Sequence, residues 1–206
     1  MGNGIVLQLQ SEALDESVDI ETLLRKAYLV AYKLNLEDFI NWIKSEQNGY
    51  SGNVPPYRIV GGEIKAWNPY RGWCPVIMPS ELSDTVSKMP ILNPISTVSD
   101  IYNKSEGTIY LTLPGEINEL LNKMTDGFPT KYDFVTSKTE FHKIISAVRN
   151  QILDWALKLE ESGIIGENLE FSASEIEKAH FVQTINNYTN NFYSTADNTQ
   201  IEQGKQ

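Results

Sequence analysis

The chain has 206 residues, a formal net charge of −10 at pH 7 and a sequence pI of about 4.7. This length predicts one domain with a short appendage. Hydrophobic residues make up 41% of the chain and aromatic residues 10%, which suffices for a core and excludes global disorder. The acidic surplus makes nucleic acid an unlikely partner, because binding it needs clustered lysine and arginine.

The residue types that usually bind metals are scarce. A single cysteine, Cys74, excludes an intrachain disulfide and a cysteine-built metal site, and two histidines are too few for a zinc cluster. The first residues lack the pattern of a signal peptide, and no apolar run approaches the roughly 20 residues of a membrane span. We therefore predict a cytoplasmic protein without a membrane association, a metal site or a cofactor.

Apolar residues at helical spacing dominate the first fifty positions. They predict three helices, over residues 4–15, 20–34 and 36–48. Asp19 is the expected N-cap of the second helix and Asn35 that of the third. Gly49 is expected to end the third helix, since glycine readily takes the backbone conformation that follows a helix.

The middle of the chain alternates β-prone and helical stretches. Strands are predicted over residues 57–60, 64–67, 73–78, 108–113 and 131–136, and helices over 80–88, 95–103 and 116–124. Gly61 and Gly62 are expected to form a bend or bulge, and residues 68–72 a turn. Residues 57–78 are thus predicted to form an antiparallel pair.

Two capping-box patterns mark helices in the last third. Ser137 with Glu140 predicts the start of a long helix to residue 162, and Ser172 with Glu175 that of a short helix to about His180. Along the long helix, apolar residues recur at three- and four-residue steps and predict a packing seam: Phe141, Ile145, Val148, Ile152, Trp155 and Leu159. The predicted fold class is α+β, with N- and C-terminal helices packed on a small antiparallel sheet.

Residues 181–206 differ from the domain at 1–180. This tail has no proline and few charges, and it is rich in asparagine and glutamine. Its composition favours β-pairing with other copies, although a mobile tail is the simpler interpretation. The residues expected to mediate oligomerisation are Ile185, Tyr188, Phe192, Tyr193 and Ile201.

Two long ordered strings stand out in the chain. The first contains LLRKA at 23–27, FINWIKSEQNGY at 39–50 and PPYR at 55–58; the second contains VRNQILDWAL at 148–157, LEESGI at 159–164 and GEN at 166–168. These strings resemble the AbiTii family of bacterial proteins associated with abortive infection and phage defence. The resemblance spans roughly residues 5–180 and supplies no catalytic residues. It implies a component of an antiviral defence system. Together with the β-prone tail, it leads us to predict action through homo-oligomerisation or partner binding rather than catalysis, the partner being the chain itself or another defence or phage protein.

Two alternatives stay open. One is a toxin-like enzyme such as a metal-dependent nuclease, although no compact motif of acidic residues with a lysine is visible. The other is a sensor module that binds a phage protein or a nucleotide signal.

Five residues are candidate binding residues. Arg25 and Arg58 lie inside the family-like strings and are able to hold a phosphate or carboxylate. The alternative is a structural ion pair, of Arg25 with Glu21 or of Arg58 with a neighbouring helix. Trp67, Tyr70 and Arg71 belong to an aromatic and cationic cluster on the predicted hairpin, which is either a recognition surface or an ordinary strand with half of its side chains in the core.

Overall fold

The computed structural model describes residues 4–78, 83, 86–124 and 129–181. Its helices are α1 (Ile5–Leu14), α2 (Ile20–Lys33), α3 (Glu37–Asn48), α4 (Ile95–Lys104), α5 (Gly115–Met124), α6 (Lys138–Glu161) and α7 (Ala173–Phe181). Its strands are β1 (Ile59–Gly61), β2 (Glu63–Asn68), β3 (Gly72–Pro75), β4 (Lys88–Pro90), β5 (Thr108–Thr112) and β6 (Tyr132–Ser137). Short 3₁₀ turns cover Pro56–Arg58 and Glu167–Leu169. The predicted α+β class is confirmed.

Helix α6 is the centre of the helical layer. Helices α1, α2 and α4 all pack against it, so its apolar seam meets helical partners. The predicted seam is confirmed with one exchange: Ile144 is fully buried, whereas Ile145 is only partly buried. None of the helices within the described residues is long and apolar enough to cross a membrane.

The predicted helix ends are partly confirmed. Asp19 caps α2 by accepting a hydrogen bond from the Thr22 amide at 3.0 Å, and Gly49 ends α3 at φ +90°. The prediction that Asn35 caps α3 was wrong, because Leu36 occupies the cap position and makes no side-chain cap. Asn35 instead adopts a left-handed conformation (φ 56°) that joins α2 to α3, which asparagine tolerates better than most residues.

One of the two predicted capping boxes forms. Ser172 and Glu175 bond each other's backbone amides at 3.2 and 2.8 Å. Ser137 makes no capping hydrogen bond, because it is also the last residue of β6 and pairs there with Thr108. Its expected partner Glu140 accepts instead from the Gly61 amide at 3.1 Å, so this carboxylate ties α6 to β1.

The strands form two antiparallel sheets. The larger has the order β3-β2-β6-β5, and the smaller pairs β1 with β4. The predicted hairpin is confirmed for β2 and β3, but the prediction that the strand beginning at residue 57 belongs to it was wrong. Gly62 separates β1 from β2 and passes so close to Phe134 that a Cβ there would lie 2.5 Å from its ring. Strand β1 pairs with β4 instead, with Val60 opposite Met89.

The larger sheet has one face in the core and one outside it. Alternate residues such as Ile64, Ile109 and Phe134 point into the core beneath the helices. Residues 182–206 of the predicted tail at 181–206, including all five residues expected to mediate oligomerisation, lie outside the described residues, as does most of the predicted helix at 80–88.

Candidate functional site

The outer face of the four-stranded sheet carries the aromatic residues of the hairpin. Trp67 pairs with Trp73 across β2 and β3, so both side chains lie on this face. The register places Asp133 of β6 opposite Lys65 and Tyr110 of β5 opposite Val135 on the same side. We call the group formed by Trp67, Trp73, Tyr110, Lys131 and Asp133 the aromatic face.

The rings of the aromatic face contact one another in sequence. Trp67 meets Trp73 edge to face, with centroids 5.4 Å apart, and Trp73 meets Tyr110 at 5.6 Å. Trp73 belongs to one edge strand and Tyr110 to the other, so these two side chains reach toward each other over β2 and β6. Trp67 is 45% exposed, and a large aromatic surface is therefore presented to solvent.

A buried carboxylate lies on the same face as these rings. The side chain of Asp133 is 5% exposed, and its Oδ2 pairs with Lys131 Nζ at 3.1 Å. Lys131 Nζ also lies 5.4 Å from the centroid of the Trp73 ring. The other oxygen, Oδ1, is buried and has no hydrogen-bond partner among the described residues. Leaving such an acceptor unpaired costs about 1–3 kcal/mol, so it marks a place where a ligand's donor would be favourable.

The tip of the β2–β3 hairpin extends the aromatic face. The Asn68 side chain accepts hydrogen bonds from the amides of Tyr70 and Arg71 at 2.9 and 3.1 Å, which fixes the turn. Tyr70 is 97% exposed, and Arg71 is exposed as well. The structure therefore brings together three of the five predicted binding residues, namely Trp67, Tyr70 and Arg71.

Arg58 is placed elsewhere, in the interior. Its guanidinium is fully buried, forms an ion pair with Glu46 of α3, and donates to the carbonyl of Asn93 at 2.6 Å. An external ligand cannot reach it, and the arrangement matches the structural ion pair with a neighbouring helix. Arg58 thus links α3 to the segment between β4 and α4.

Two tyrosines complete this interior network. The hydroxyls of Tyr50 and Tyr57 each donate to Glu46 Oε1 at 2.6 Å, and the Trp42 indole donates to the Tyr57 oxygen at 2.9 Å. Burial, followed by the negative charge of Glu46, raises the pKa of both tyrosines well above the usual value. Both hydroxyls therefore stay protonated and act as donors.

Arg25 lies on α2, apart from the aromatic face. It pairs with Glu21 one helical turn away at 2.8 Å, and its side chain is 68% exposed. Both residues line a shallow cavity of about 360 Å³ together with Gln47, Asn48, Ile95 and Ser96. The ion pair matches the structural alternative, and the predicted binding role of Arg25 stays a prediction.

Sequence reasoning missed Tyr110, Lys131 and Asp133. Tyr110 is the middle residue of the alternating segment Thr108–Thr112, and that alternation was a usable signal for a side chain outside the core. The sequence did not indicate that Tyr110 shares a face with Lys131 and Asp133, because strand order decides which distant strands lie side by side and local patterns do not specify that order. Among the described residues, no group of three His, Cys, Asp or Glu side chains is placed to hold a metal ion.

The fold and the site together define an α+β domain whose larger sheet presents aromatic side chains on its outer face. The AbiTii family model matches residues 4–184, so the chain belongs to the AbiTii family. The resemblance seen in the sequence is thereby confirmed, and the family name connects the chain with abortive infection, a form of phage defence. No curated protein and no solved structure matches the chain.

Proposed function

We propose that this AbiTii chain serves phage defence by binding a protein partner through its aromatic face, without a catalytic step. The carrying observation is the buried Asp133 carboxylate, whose Oδ1 has no hydrogen-bond partner among the described residues, on the same face as the rings of Trp67, Trp73 and Tyr110. Binding energy at protein interfaces concentrates on tryptophan, tyrosine and arginine anchors, and the hairpin supplies all three types.

The chemistry of this surface favours a partner with a cationic or polar donor. An arginine, lysine or amide inserted near Trp73 would give Asp133 Oδ1 its missing hydrogen bond and would contact the ring faces. Residues 51–148 carry ten acidic and nine basic residues, so this part of the chain is close to neutral. A protein surface suits such a face better than a nucleic acid, whose binding depends on clustered positive charge. In the sensor hypothesis, that protein partner comes from the phage.

The test is a phage plaque assay on bacteria that carry the complete defence system with single substitutions. Trp67→Ala and Tyr70→Ala are expected to lose protection, because both remove exposed anchors of the surface. Tyr32→Ala is the matched control, since Tyr32 is an exposed aromatic (62%) on α2, far along the chain from the hairpin. Thermal midpoints within about 2 °C of wild type would show intact folding. Full protection by Trp67→Ala and Tyr70→Ala would contradict the proposal.

Homo-oligomerisation through residues 181–206 is a second proposed route to the same defence role. A separate observation favours it, because β5 is an edge strand of the larger sheet. For the metal-dependent nuclease, no comparable observation exists in the described part of the chain.

A further inference from the structure

Strand β5 presents unpaired backbone groups along its open side. It is the last strand in the order β3-β2-β6-β5. The Lys138 amide donates to the Gly107 carbonyl at 2.7 Å, so this pair is of the hydrogen-bonded kind in the antiparallel register. Alternation then directs the backbone groups of Ile109 and Leu111 toward β6. The amides and carbonyls of Thr108, Tyr110 and Thr112 point outward, and no hydrogen bond to them arises from the described residues.

A groove runs along this open edge. It has a volume of about 660 Å³ and lies between β5 and α4, with residues of both elements on its walls. Its apolar contacts come from Ile101, Ile109 and Leu111, and Ser96, Thr97 and Ser105 add small polar groups. The volume falls in the range of sites that hold ligands. An added strand in this groove would pair with β5 and rest its side chains against α4.

The edge lacks the features by which proteins prevent strand addition. The segment Thr108–Thr112 contains no charged residue and no proline. Natural edge strands are usually protected by lysine, proline, bulges or covering elements. Each charged residue on the groove wall has an ion-pair partner: Asp100 pairs with Lys104 at 2.9 Å, and Glu21 of α2 pairs with Arg25 at 2.8 Å. A neutral, β-prone segment is therefore the complementary occupant.

We propose that the tail at residues 182–206 of a second copy adds as a strand to β5 in this groove. Residues 182–196 contain no charged residue and no proline, and they combine threonine, isoleucine and aromatic residues with asparagine and glutamine. Backbone pairing supplies affinity in such strand addition, and pockets beside the edge select alternate side chains. This inference rests on the second proposed function, homo-oligomerisation through the tail, and names the surface that binds the tail. It is independent of the aromatic-face proposal.

The positions of the two ends of α6 favour a second copy over the chain's own tail. Helix α7, which precedes the tail, lies next to the C-terminal end of α6, because Glu175 accepts hydrogen bonds from the Ile165 and Gly166 amides just beyond that end. Strand β5 lies next to the N-terminal end of α6, because the Lys138 amide donates to the Gly107 carbonyl. A 24-residue helix spans about 36 Å, which corresponds to about 11 extended residues. The chain's own tail would use most of its 15 uncharged residues to cover that distance, whereas another copy's tail need not.

The contact joins two different surfaces, a tail and an edge. Such a contact is either exchanged reciprocally between two copies, which closes a twofold dimer, or repeated from copy to copy, which builds rings or filaments. Each copy carries one tail and one edge, so blocking either surface should stop growth. Copies with opposite defects should still complement each other.

The test uses the full chain throughout and measures mass by sedimentation velocity from about 1 to 100 µM. The edge variant Thr108→Lys/Thr112→Lys introduces the charges that protect natural edges, and Thr108→Ser/Thr112→Ser is its neutral control. The tail variant is Ile185→Lys/Phe192→Lys. Thermal midpoints within about 2 °C of wild type establish that the variants fold.

Wild type and the serine control are expected to form dimers or larger species as concentration rises, whereas each lysine variant alone stays monomeric. An equimolar mixture of the edge and tail variants is expected to form a 1:1 dimer of twice the 23.3 kDa chain mass. A monomeric wild type would overturn the inference and would indicate that the groove takes the chain's own tail or a different partner. Self-association of the tail variant would also overturn it, because β5 would then pair with β5. Neither result changes the outcome expected for Trp67→Ala and Tyr70→Ala in the plaque assay, which tests the aromatic-face proposal separately.

Discussion

Replacing Arg58 with methionine tests whether the buried ion pair with Glu46 holds the domain together. Both side chains are fully buried, and methionine keeps much of the volume while removing the charge. The variant leaves the Glu46 carboxylate without its cation and the Asn93 carbonyl without its donor. An uncompensated buried charge of this kind is strongly destabilising.

The expected loss in the free energy of unfolding is about 3 kcal/mol, at the lower end of the roughly 3–5 kcal/mol seen when one partner of a buried pair is removed. The lower end applies for two reasons. Glu46 keeps the two tyrosine hydroxyls as donors, and Arg58 Nε already lacks a hydrogen-bond partner among the described residues. In a protein of this size, about 3 kcal/mol lowers the melting temperature by about 6–12 °C.

Urea denaturation followed by tryptophan fluorescence measures the change, with Arg25→Ala as the matched control. Arg25 also pairs with a glutamate, but its side chain is 68% exposed, so its loss should cost less than about 0.5 kcal/mol. A cost below about 1 kcal/mol for Arg58→Met would refute the reasoning. Equal losses for the two arginines would also refute it, because burial would then not decide the strength of the pair.

Three further substitutions test other parts of the structure. Burial opposes ionisation of Glu175, yet hydrogen bonds from the amides of Gly166, Ser172 and Ile165 lower its pKa to about 2. The ionised carboxylate therefore stabilises the folded state above pH 4.5, and this stabilisation is lost as the pH falls toward 2. Glu175→Gln should therefore flatten stability between pH 5 and 2 by about 1 kcal/mol, allowing for solvent screening, and an unchanged acid transition would contradict this. Arg149 donates to three carbonyls of the α1–α2 segment, so Arg149→Met should cost about 2 kcal/mol and speed amide exchange there; unchanged exchange would argue against such a role. Gly62→Ala should cost about 1–3 kcal/mol in urea denaturation because its Cβ would overlap the Phe134 ring, and a neutral result would show that the strand shifts freely.

Local patterns predicted well wherever neighbours along the chain supplied the contacts. The Ser172–Glu175 box formed because both partners lie within one helical turn. The otherwise identical spacing of Ser137 and Glu140 failed, since the sheet occupies Ser137 and the Gly61 amide, far away in sequence, takes the Glu140 carboxylate. Spacing indicates which side chains are able to form a capping hydrogen bond, and competing contacts with distant parts of the chain decide whether that bond forms.

The candidate site shows the same division. Trp67 and Trp73 were predictable partners because a short turn joins their strands. Arg58 lay near them in the sequence, but the 3₁₀ turn at Pro56–Arg58 directs it into the core, where it meets Glu46 of α3. The aromatic and basic residues of this short stretch therefore separate in the fold: Trp67 and Trp73 lie on the outer face of the sheet, and Arg58 lies in the core.

By itself the sequence determined the α+β class, the long α6 seam, the β2–β3 hairpin and the family, because each depends on residue spacing or on ordered strings of residues. Only the tertiary structure decided that Tyr110 and Asp133 join the tryptophans on one face, and that β5 lies at an edge beside α4. Strand order brings together segments that are distant along the chain, and no local spacing specifies that order. The proposed binding surfaces therefore depend on long-range pairing, while the elements that carry them depend on local chemistry.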